Sequence, residues 1–361
     1  MPIQASEANR FPNSPNSLIA QSNQAMATLK QGQELYNLTQ YEQALAAFDK
    51  AIELDPDLVD AWYWKGRTLH NLEQYDKALQ AYANARRLAP KDPKIWKSRG
   101  DAMSSLAFKI SDPTEAFERF SFAIEFYDEA LNLLPKDSLG DRATTLMERG
   151  DSLFAQGSLL SKQMKDSTNP KYREAESSYT EVIKLAKLNN DENQQANALW
   201  RKGEALRKQN QYPKALQAFR ETVKLKQDFA EGWFRLGRVQ IEKQPDEARI
   251  AFQKALDLAP SYTEAWHNQG ILLENLKQYE KAAKSFSQAI LGTSFNQWLV
   301  DDAITKADSW YGRGLALYHL GCFSQSIYSL NQAKELKEAR DLLKEILTSK
   351  KHTPSSCRRW D

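Results

Sequence analysis

Small and apolar residues recur along the chain with a period of 34 residues. Gly32, Gly66 and Gly100 mark this period. An Ala, an aromatic residue, a second Ala and a Pro follow Gly32 at offsets of 12, 16, 19 and 24, and the same residue types follow Gly66 at the same offsets. A fixed period of this length predicts a repeat protein, in which one small structural unit stacks on the next.

The pattern resembles the tetratricopeptide repeat (TPR) of bacterial multi-repeat proteins. The repeat's order of Trp, Gly, Tyr or Leu, Ala, Phe or Tyr, Ala and Pro is matched at nearly every position, with Trp62 and Trp96 each four residues before their Gly. The resemblance implies an all-α fold, a right-handed superhelical solenoid of about eight TPR helix pairs with a C-terminal capping helix. Gly and Ala would let the two helices of a pair approach closely, the aromatic residues would fill the gap, and Pro would end the second helix.

Carried along the chain, the frame predicts eight repeats between two tails. The third repeat carries an insertion, and the fourth lacks the Trp and the Pro and carries a second insertion. Because repeats are stabilised largely by their neighbours, this weak repeat predicts two cooperative blocks joined by a hinge. The predicted segments are a disordered tail 1–24, repeats 1–3 at 25–137, repeat 4 at 138–190, repeats 5–7 at 191–296, an insertion 297–306, repeat 8 at 307–340, a capping helix 341–349 and a disordered basic tail 350–361.

The composition agrees with a helical chain of balanced charge. Only 14 Gly and 13 Pro occur in 361 residues, and 49 Lys and Arg face 47 Asp and Glu. Interleaved charges of both signs give no broad cationic face for a phosphate backbone, so nucleic-acid binding is not expected. No stretch approaches the roughly 18 consecutive apolar residues of a membrane span, and the N-terminus lacks the basic and apolar regions of a signal peptide. These features predict a cytoplasmic protein without a membrane span.

Residues that carry catalytic or metal chemistry are few. The only two cysteines, Cys322 and Cys357, are too few to form a stabilising disulfide framework in a chain of this size. They are therefore predicted to be two reduced, unrelated thiols in a reducing compartment. The repeat frame places His70 five repeats from His267, so three histidines cannot converge on a metal, and His267 and His319 are interpreted as polar surface residues. No nucleophile elbow, Cys-x-x-Cys or phosphate-binding loop occurs. The sequence therefore predicts a protein that is not an enzyme and holds no cofactor and no metal.

In TPR proteins the first helix of each pair lines the concave face, and the resemblance implies ligand contacts at fixed offsets from each repeat Gly. In this chain those offsets hold large aromatic residues with interspersed cations, the composition of protein-binding hot spots. About a third of these rings are expected to be buried against the next helix instead. The candidate groove residues are Tyr36, Tyr63, Arg67, His70, Lys97, Phe154, Trp200, Arg207, Phe234, Arg238, His267, Tyr311 and Tyr318.

The partner is expected to be a protein or peptide. The family's chaperone-binding members hold a carboxylate with a clamp of Lys and Asn, but Leu29, Gln33 and Trp64 occupy the first clamp positions here, so a chaperone-type carboxylate clamp is not expected. The primary hypothesis is a non-catalytic scaffold, adaptor or assembly factor that binds a partner segment in the groove. The alternative is a helical-repeat protein that binds single-stranded RNA through aromatic stacking and cations. Against this alternative, Arg alternates with Asp and Glu at equivalent groove positions of successive repeats. The carboxylates would repel the RNA backbone as often as the arginines would attract it.

Overall fold

A computed structural model describes residues 15–163, 169–292 and 306–348 together with Cys357, and for residues 15–18 and 162–163 it describes only the backbone. Within these residues every regular element is an α-helix, which confirms the all-α prediction. The helices are α1 Pro15–Asn37, α2 Tyr41–Leu54, α3 Val59–Asn71, α4 Tyr75–Leu88, α5 Pro93–Lys109, α6 Pro113–Leu133, α7 Leu139–Gln163, α8 Pro170–Leu188, α9 Glu192–Lys208, α10 Tyr212–Leu225, α11 Ala230–Gln240, α12 Pro245–Leu258, α13 Thr263–Asn275, α14 Tyr279–Leu291, α15 Lys306–His319, α16 Phe323–Gln332 and α17 Lys337–Thr348.

The helices follow one another as eight pairs and a final helix. From α1 to α6 and from α8 to α16, the first helix of a pair packs on the second, as α1 does on α2 and α3 on α4, and each second helix packs on the first helix of the next pair, as α2 does on α3. α17 packs on α16. The chain forms two compact units, residues 1–159 and residues 160–361, whose boundary falls within α7. Each unit by itself is a stack of helix pairs.

The repeat Gly and the repeat aromatic residue meet inside six of the pairs, as the described residues show. A Cβ atom added to Gly66 would lie 2.5 Å from the Tyr82 ring, so no side chain fits between α3 and α4 at this point. The same close approach joins Gly32 with Phe48, Gly100 with Tyr127, Gly203 with Phe219, Gly237 with Phe252 and Gly270 with Phe286. These rings are almost fully buried, as the sequence pattern predicts.

The repeat Trp has a separate role, at the junction between pairs. The indole Nε1 of Trp62 donates a hydrogen bond of 2.8 Å to the carbonyl oxygen of Pro56, which lies in the connection from α2 to α3. Trp96 and Trp266 make the same bond to Pro90 and Pro260. Trp233 makes the same bond to the carbonyl oxygen of Gln227, so the indole ties these first helices to the preceding turn whether or not that turn holds a Pro.

Several predicted boundaries differ from the structure. α1 begins at Pro15, inside the predicted tail 1–24, because a Pro in the first turn has the helical φ and lacks an N–H that would need a partner. The insertion in repeat 3 extends α5 and α6 as extra helical turns, where the Phe108 and Phe120 rings pack at 4.9 Å. α17 begins at Lys337, before the predicted cap at 341. Apart from Lys306 and Cys357, the predicted insertion 297–306 and tail 350–361 lie outside the described residues.

The prediction of two unrelated thiols is wrong, because the structure joins Cys322 and Cys357 in a disulfide across 35 residues of sequence. Cys322 is buried at the start of α16, and Cys357 packs on the apolar cluster that contains Leu273, Phe286 and Leu317. Disulfides persist in oxidising compartments, so the cysteines no longer support a reducing one.

Replacing Gly66 by Ala tests the close approach inside a pair. The added methyl group would meet the Tyr82 ring, and we expect the free energy of unfolding to fall by about 1–3 kcal/mol, the usual cost of overpacking. Gly140→Ala is the matched control, because nothing lies within 4 Å of its added Cβ and Ala favours a helix over Gly by about 1 kcal/mol. Denaturant unfolding of both variants measures the difference. An unchanged or raised stability for Gly66→Ala would contradict this packing.

The predicted hinge in repeat 4 is tested by limited proteolysis. The boundary between the two compact units lies within α7, the first helix of this repeat. If the repeat couples its neighbours weakly, we expect the first internal cuts between Lys162 and Lys171, followed by two folded fragments. Mass spectrometry of the products over time identifies the cuts. One resistant core that retains this segment would contradict the hinge.

Candidate binding surface

First helices of consecutive pairs contact one another within each unit. α3 contacts α1 and α5 in the first unit, and α9 contacts α11, as α13 contacts α15, in the second. Neighbouring first helices therefore form a face within each unit, and all predicted groove residues lie on first helices. They are distributed as Tyr36 on α1, Tyr63, Arg67 and His70 on α3, Lys97 on α5, Phe154 on α7, Trp200 and Arg207 on α9, Phe234 and Arg238 on α11, His267 on α13, and Tyr311 and Tyr318 on α15.

Aromatic rings of α1 and α3 surround Arg67. The guanidinium carbon of Arg67 lies 4.6 Å from the Trp64 ring centroid, 5.1 Å from that of Tyr36 and 5.9 Å from that of Tyr63. Tyr36 and Trp64 also meet edge to face at 5.1 Å. We call Tyr36, Tyr63, Trp64 and Arg67 the Arg67 cluster.

The Arg67 cluster is available to a partner. All four side chains are only partly buried, and within the described residues no carboxylate forms an ion pair with Arg67. The rings hold the guanidinium by cation–π attraction, which leaves its N–H groups free to donate to an oxygen acceptor. Such an arrangement combines apolar area with a charged donor, as interface hot spots do.

His70 and Lys97, the next predicted residues, are held by intramolecular contacts. His70 Nε2 lies 3.0 Å from Ser105 Oγ, and burial lowers the pKa of His70 despite the opposing effect of Asp101. Lys97 Nζ pairs with Asp101 at 2.8 Å, and Tyr127 donates its hydroxyl to the same carboxylate. His70 is therefore neutral at pH 7, and the charge of Lys97 is compensated within the chain.

Phe154, Trp200, Phe234 and His267 are buried in the structure. Phe234 packs on Tyr262, with 4.9 Å between ring centroids, because the turn before α13 covers this position. His267 lies edge to face with Phe286, and its Nδ1 lies 2.9 Å from Ser309 Oγ. Burial lowers the pKa of His267 to about 4, which Asp308 only partly opposes. The interpretation of His267 as a surface residue is therefore wrong, and a partner could reach these four residues only if neighbouring helices moved.

Arg207 belongs to a buried ion network that sequence reasoning missed. Arg207 Nη2 lies 3.0 Å from Glu204 Oε2, and Arg235 lies between two carboxylates, 3.4 Å from Glu204 and 2.6 Å from Glu231. Arg238 is half-buried and contributes a further positive charge near Glu204. Glu204 has the same offset from its repeat Gly as Arg238, which is a groove offset, so the frame alone did not indicate burial. The opposite charges of Glu204 and Arg235 on consecutive first helices were the available signal.

Burial raises the pKa of Glu204 by itself, but Arg207 and then Arg235 and Arg238 outweigh it and lower the pKa to about 2. Burial also acts against the charged form of Arg235, yet Glu231 and Glu204 raise the pKa of Arg235 above its ordinary value. Both groups are therefore fully charged at neutral pH. The network joins α9 to α11 and does not provide a free charge for a partner.

Tyr311 and Tyr318 are partly buried on α15. The pKa of Tyr311 is raised by burial first, and then by Glu274 and Glu338. Tyr318 donates a hydrogen bond of 2.9 Å to Glu345 Oε1 on α17. The two tyrosines thus lie where the last pair meets the final helix.

The described ranges contain no group of three His, Cys, Asp or Glu side chains that could hold a metal ion. Among the helices described, none is long and apolar enough to cross a bilayer.

Sequence profiles described as tetratricopeptide repeat match this chain. One matches residues 29–93, 169–228 and 201–262, and a second matches residues 251–284. Together they cover half of the chain. The chain belongs to the tetratricopeptide repeat family. No curated protein sequence matches it.

Solved structures of TPR proteins resemble the chain at low sequence identity. PilF of Pseudomonas aeruginosa is 18% identical, with a TM-score of 0.50 over 69% of this chain and 98% of that chain. Two structures of MamA are each 20% identical, with TM-scores of 0.40 and 0.38, and they cover 56% and 50% of this chain and 96% and 95% of their own. PilF shows the same TPR fold. TPR proteins are typically non-catalytic scaffolds that bind protein partners.

Proposed function

We propose that this TPR protein is a scaffold, adaptor or assembly factor whose first-helix face binds a segment of a partner protein. The Arg67 cluster is the observation that supports this function most, because it offers partly exposed rings and a guanidinium without an ion pair among the described residues. A partner segment with an acidic side chain beside an apolar one would complement it. Tyr311 and Tyr318 are the proposed contacts in the second unit.

RNA binding is not proposed, because the cations that would contact phosphates are mostly engaged. Lys97 pairs with Asp101 on its own helix, and Arg207 pairs with Glu204. The phosphates of a single-stranded RNA would have to displace these carboxylates from the cations, and the carboxylates would also repel the phosphates.

A cytoplasmic location stays a prediction. The Cys322–Cys357 disulfide weighs against it, since cytosolic thiols are normally kept reduced. Alkylation of the two thiols in intact cells, followed by mass spectrometry, tests it. Blocked thiols before reduction would favour an oxidising compartment, and free thiols would favour the cytoplasm.

Affinity capture from the native cell with two matched double variants tests the scaffold function. Tyr63→Ala with Arg67→Ala removes the centre of the Arg67 cluster. Arg87→Ala with Tyr212→Ala removes one exposed Arg and one exposed Tyr from second helices. We expect the first variant to lose specific partners that the wild-type protein and the second variant retain, with unchanged melting of all three. Equal recovery by both variants would contradict binding at this face.

A further inference from the structure

Five first helices carry a cation directly before the repeat Gly, namely Lys65, Arg99, Arg149, Lys202 and Arg313. In three of the five, a residue of the preceding second helix supplies an oxygen acceptor for this cation. Lys65 Nζ lies 2.6 Å from Asp49, and Arg149 Nε lies 2.7 Å from Asp128. Asp49 and Asp128 each directly follow the repeat aromatic residue of the preceding second helix.

A third cation contacts a hydroxyl at the same position. Arg313 donates from Nε to Ser287 Oγ at 3.0 Å, and Ser287 directly follows Phe286. The residue after the repeat aromatic thus contacts the cation through an oxygen acceptor in all three cases.

Arg99 on α5 has no such acceptor. The residue that follows Tyr82 on α4 is Ala83, and one turn later Arg86 adds a second guanidinium. Among the described residues, no carboxylate pairs with Arg86 or Arg99, and the buried Nε of each donates no hydrogen bond. Lys202 on α9 likewise has no ion pair within the described part of the chain, but Ile183 stands four residues after Tyr179, where Arg86 stands four residues after Tyr82.

Aromatic rings hold the two guanidinium groups in place. The guanidinium carbons of Arg86 and Arg99 lie 5.4 Å and 5.2 Å from the Trp96 ring centroid, and that of Arg99 lies 4.1 Å from the Phe126 centroid. Both side chains are partly buried. Burial and then the charge of Arg86 lower the pKa of Arg99 to about 10, and no carboxylate offsets them. The pair therefore bears an uncompensated double positive charge.

The groove one repeat earlier is wide enough for a side chain from outside. The preceding groove, between α2 and α4, contains a cavity of about 430 Å³ lined by Asp49, Trp62 and Lys65. Its floor bears a cation and a Trp at the positions that Arg99 and Trp96 occupy in the next groove. In that preceding groove the carboxylate comes from the chain itself.

We propose that the groove between α4 and α6, with Arg86 and Arg99 above Trp96, binds an acidic side chain of a partner polypeptide. The incoming carboxylate takes the place that Asp49 fills beside Lys65 and Asp128 fills beside Arg149, and it accepts hydrogen bonds from the two guanidinium groups. A carboxylate fits this place better than a phosphate because the chain itself uses carboxylates in the equivalent positions. This surface lies on second helices and goes beyond the proposed function of the first-helix face.

Titration of the purified full chain with a fluorescein-labelled hexaglutamate peptide at low ionic strength tests this site. Fluorescence anisotropy gives the affinity, and the arginine Nε–H resonances in ¹⁵N-labelled protein report where the peptide binds. We expect saturable shifts at Arg86 and Arg99 and about tenfold weaker binding for Arg99→Gln. Arg87→Gln removes an exposed neighbouring cation and should leave the affinity nearly unchanged.

Ala83→Asp provides the decisive variant, because it keeps both arginines and supplies the missing carboxylate internally. We expect it to raise the melting temperature and to abolish the resonance shifts. Unchanged peptide affinity in Ala83→Asp, no saturable shift with Ala83 unchanged, or tighter binding of inorganic phosphate than of the peptide would overturn the proposal. Because the Arg67 cluster is also proposed to bind an acidic side chain, every titration is carried out in an Arg67→Ala background, where peptide binding reports on the groove between α4 and α6.

Discussion

Replacing Glu204 by Ala should reduce the free energy of unfolding by about 3–5 kcal/mol, because it leaves Arg235 and Arg207 without their shared carboxylate in a buried site. The Glu204 side chain is only 2% exposed, and that of Arg235 is 7% exposed. Denaturant unfolding measures the loss. Glu115→Ala is the control, since Glu115 pairs with Arg119 in solvent and such a pair contributes about 0–1 kcal/mol. Equal losses for the two variants would show that the network does not stabilise the stack.

The lowered pKa of the same carboxyl makes stability depend on pH. The pKa of Glu204 in the folded chain is about 2, below the ordinary 4.5. The group therefore contributes stability that is fully present above pH 4.5 and is lost as the pH falls toward 2. The expected loss is roughly 3 kcal/mol. Urea unfolding between pH 6 and pH 2 should show this loss in the wild-type protein, and Glu204→Gln should show a smaller slope. Parallel curves would contradict the lowered pKa.

Replacing Phe286 by Ala should cost about 3–5 kcal/mol, the usual cost of removing a buried aromatic ring. The ring packs against glycines of two different helices. An added Cβ would lie 2.8 Å from it at Gly270 on α13 and 2.5 Å from it at Gly312 on α15. Phe286 thus packs inside the seventh helix pair and also against α15, the first helix of the eighth pair.

The control for Phe286→Ala is Leu291→Ala on the same helix. Leu291 is 78% exposed, so we expect a change within about 0.5 kcal/mol. Thermal melting followed by circular dichroism compares the two variants. A small loss for Phe286→Ala would mean that the seventh and eighth pairs do not depend on this ring.

The repeat frame could be predicted from the sequence because it reflects packing inside each pair. Gly66 and Tyr82, for example, are 16 residues apart, as are Gly32 and Phe48, and this spacing fixes the close approach of the two helices. The exposure of groove positions could not be predicted in the same way. Tyr63 and Phe234 share one offset from their Gly, yet Tyr63 is partly exposed and Phe234 is covered by the Tyr262 ring.

Contacts between residues that are far apart in the chain could not be predicted from the sequence either. Spacing along the chain did not reveal that Cys357 meets Cys322, because residues 35 apart in sequence can be brought together only by the tertiary fold. The ion network of Glu204, Glu231 and Arg235 required the positions of α9 and α11 relative to each other. Both features depend on tertiary packing, and a repeat frame describes only local packing.

Site-specific photocrosslinking in the native cell tests the central claim, partner binding at the first-helix face, most directly. A benzophenone amino acid placed at Tyr36 or Tyr311 lies on that face, and one placed at Tyr212 or Tyr328 lies on an exposed part of a second helix. We expect crosslinks from Tyr36 or Tyr311 to the same partner polypeptide that affinity capture recovers. Recovery of that partner without a crosslink from either first-helix position would contradict the claim.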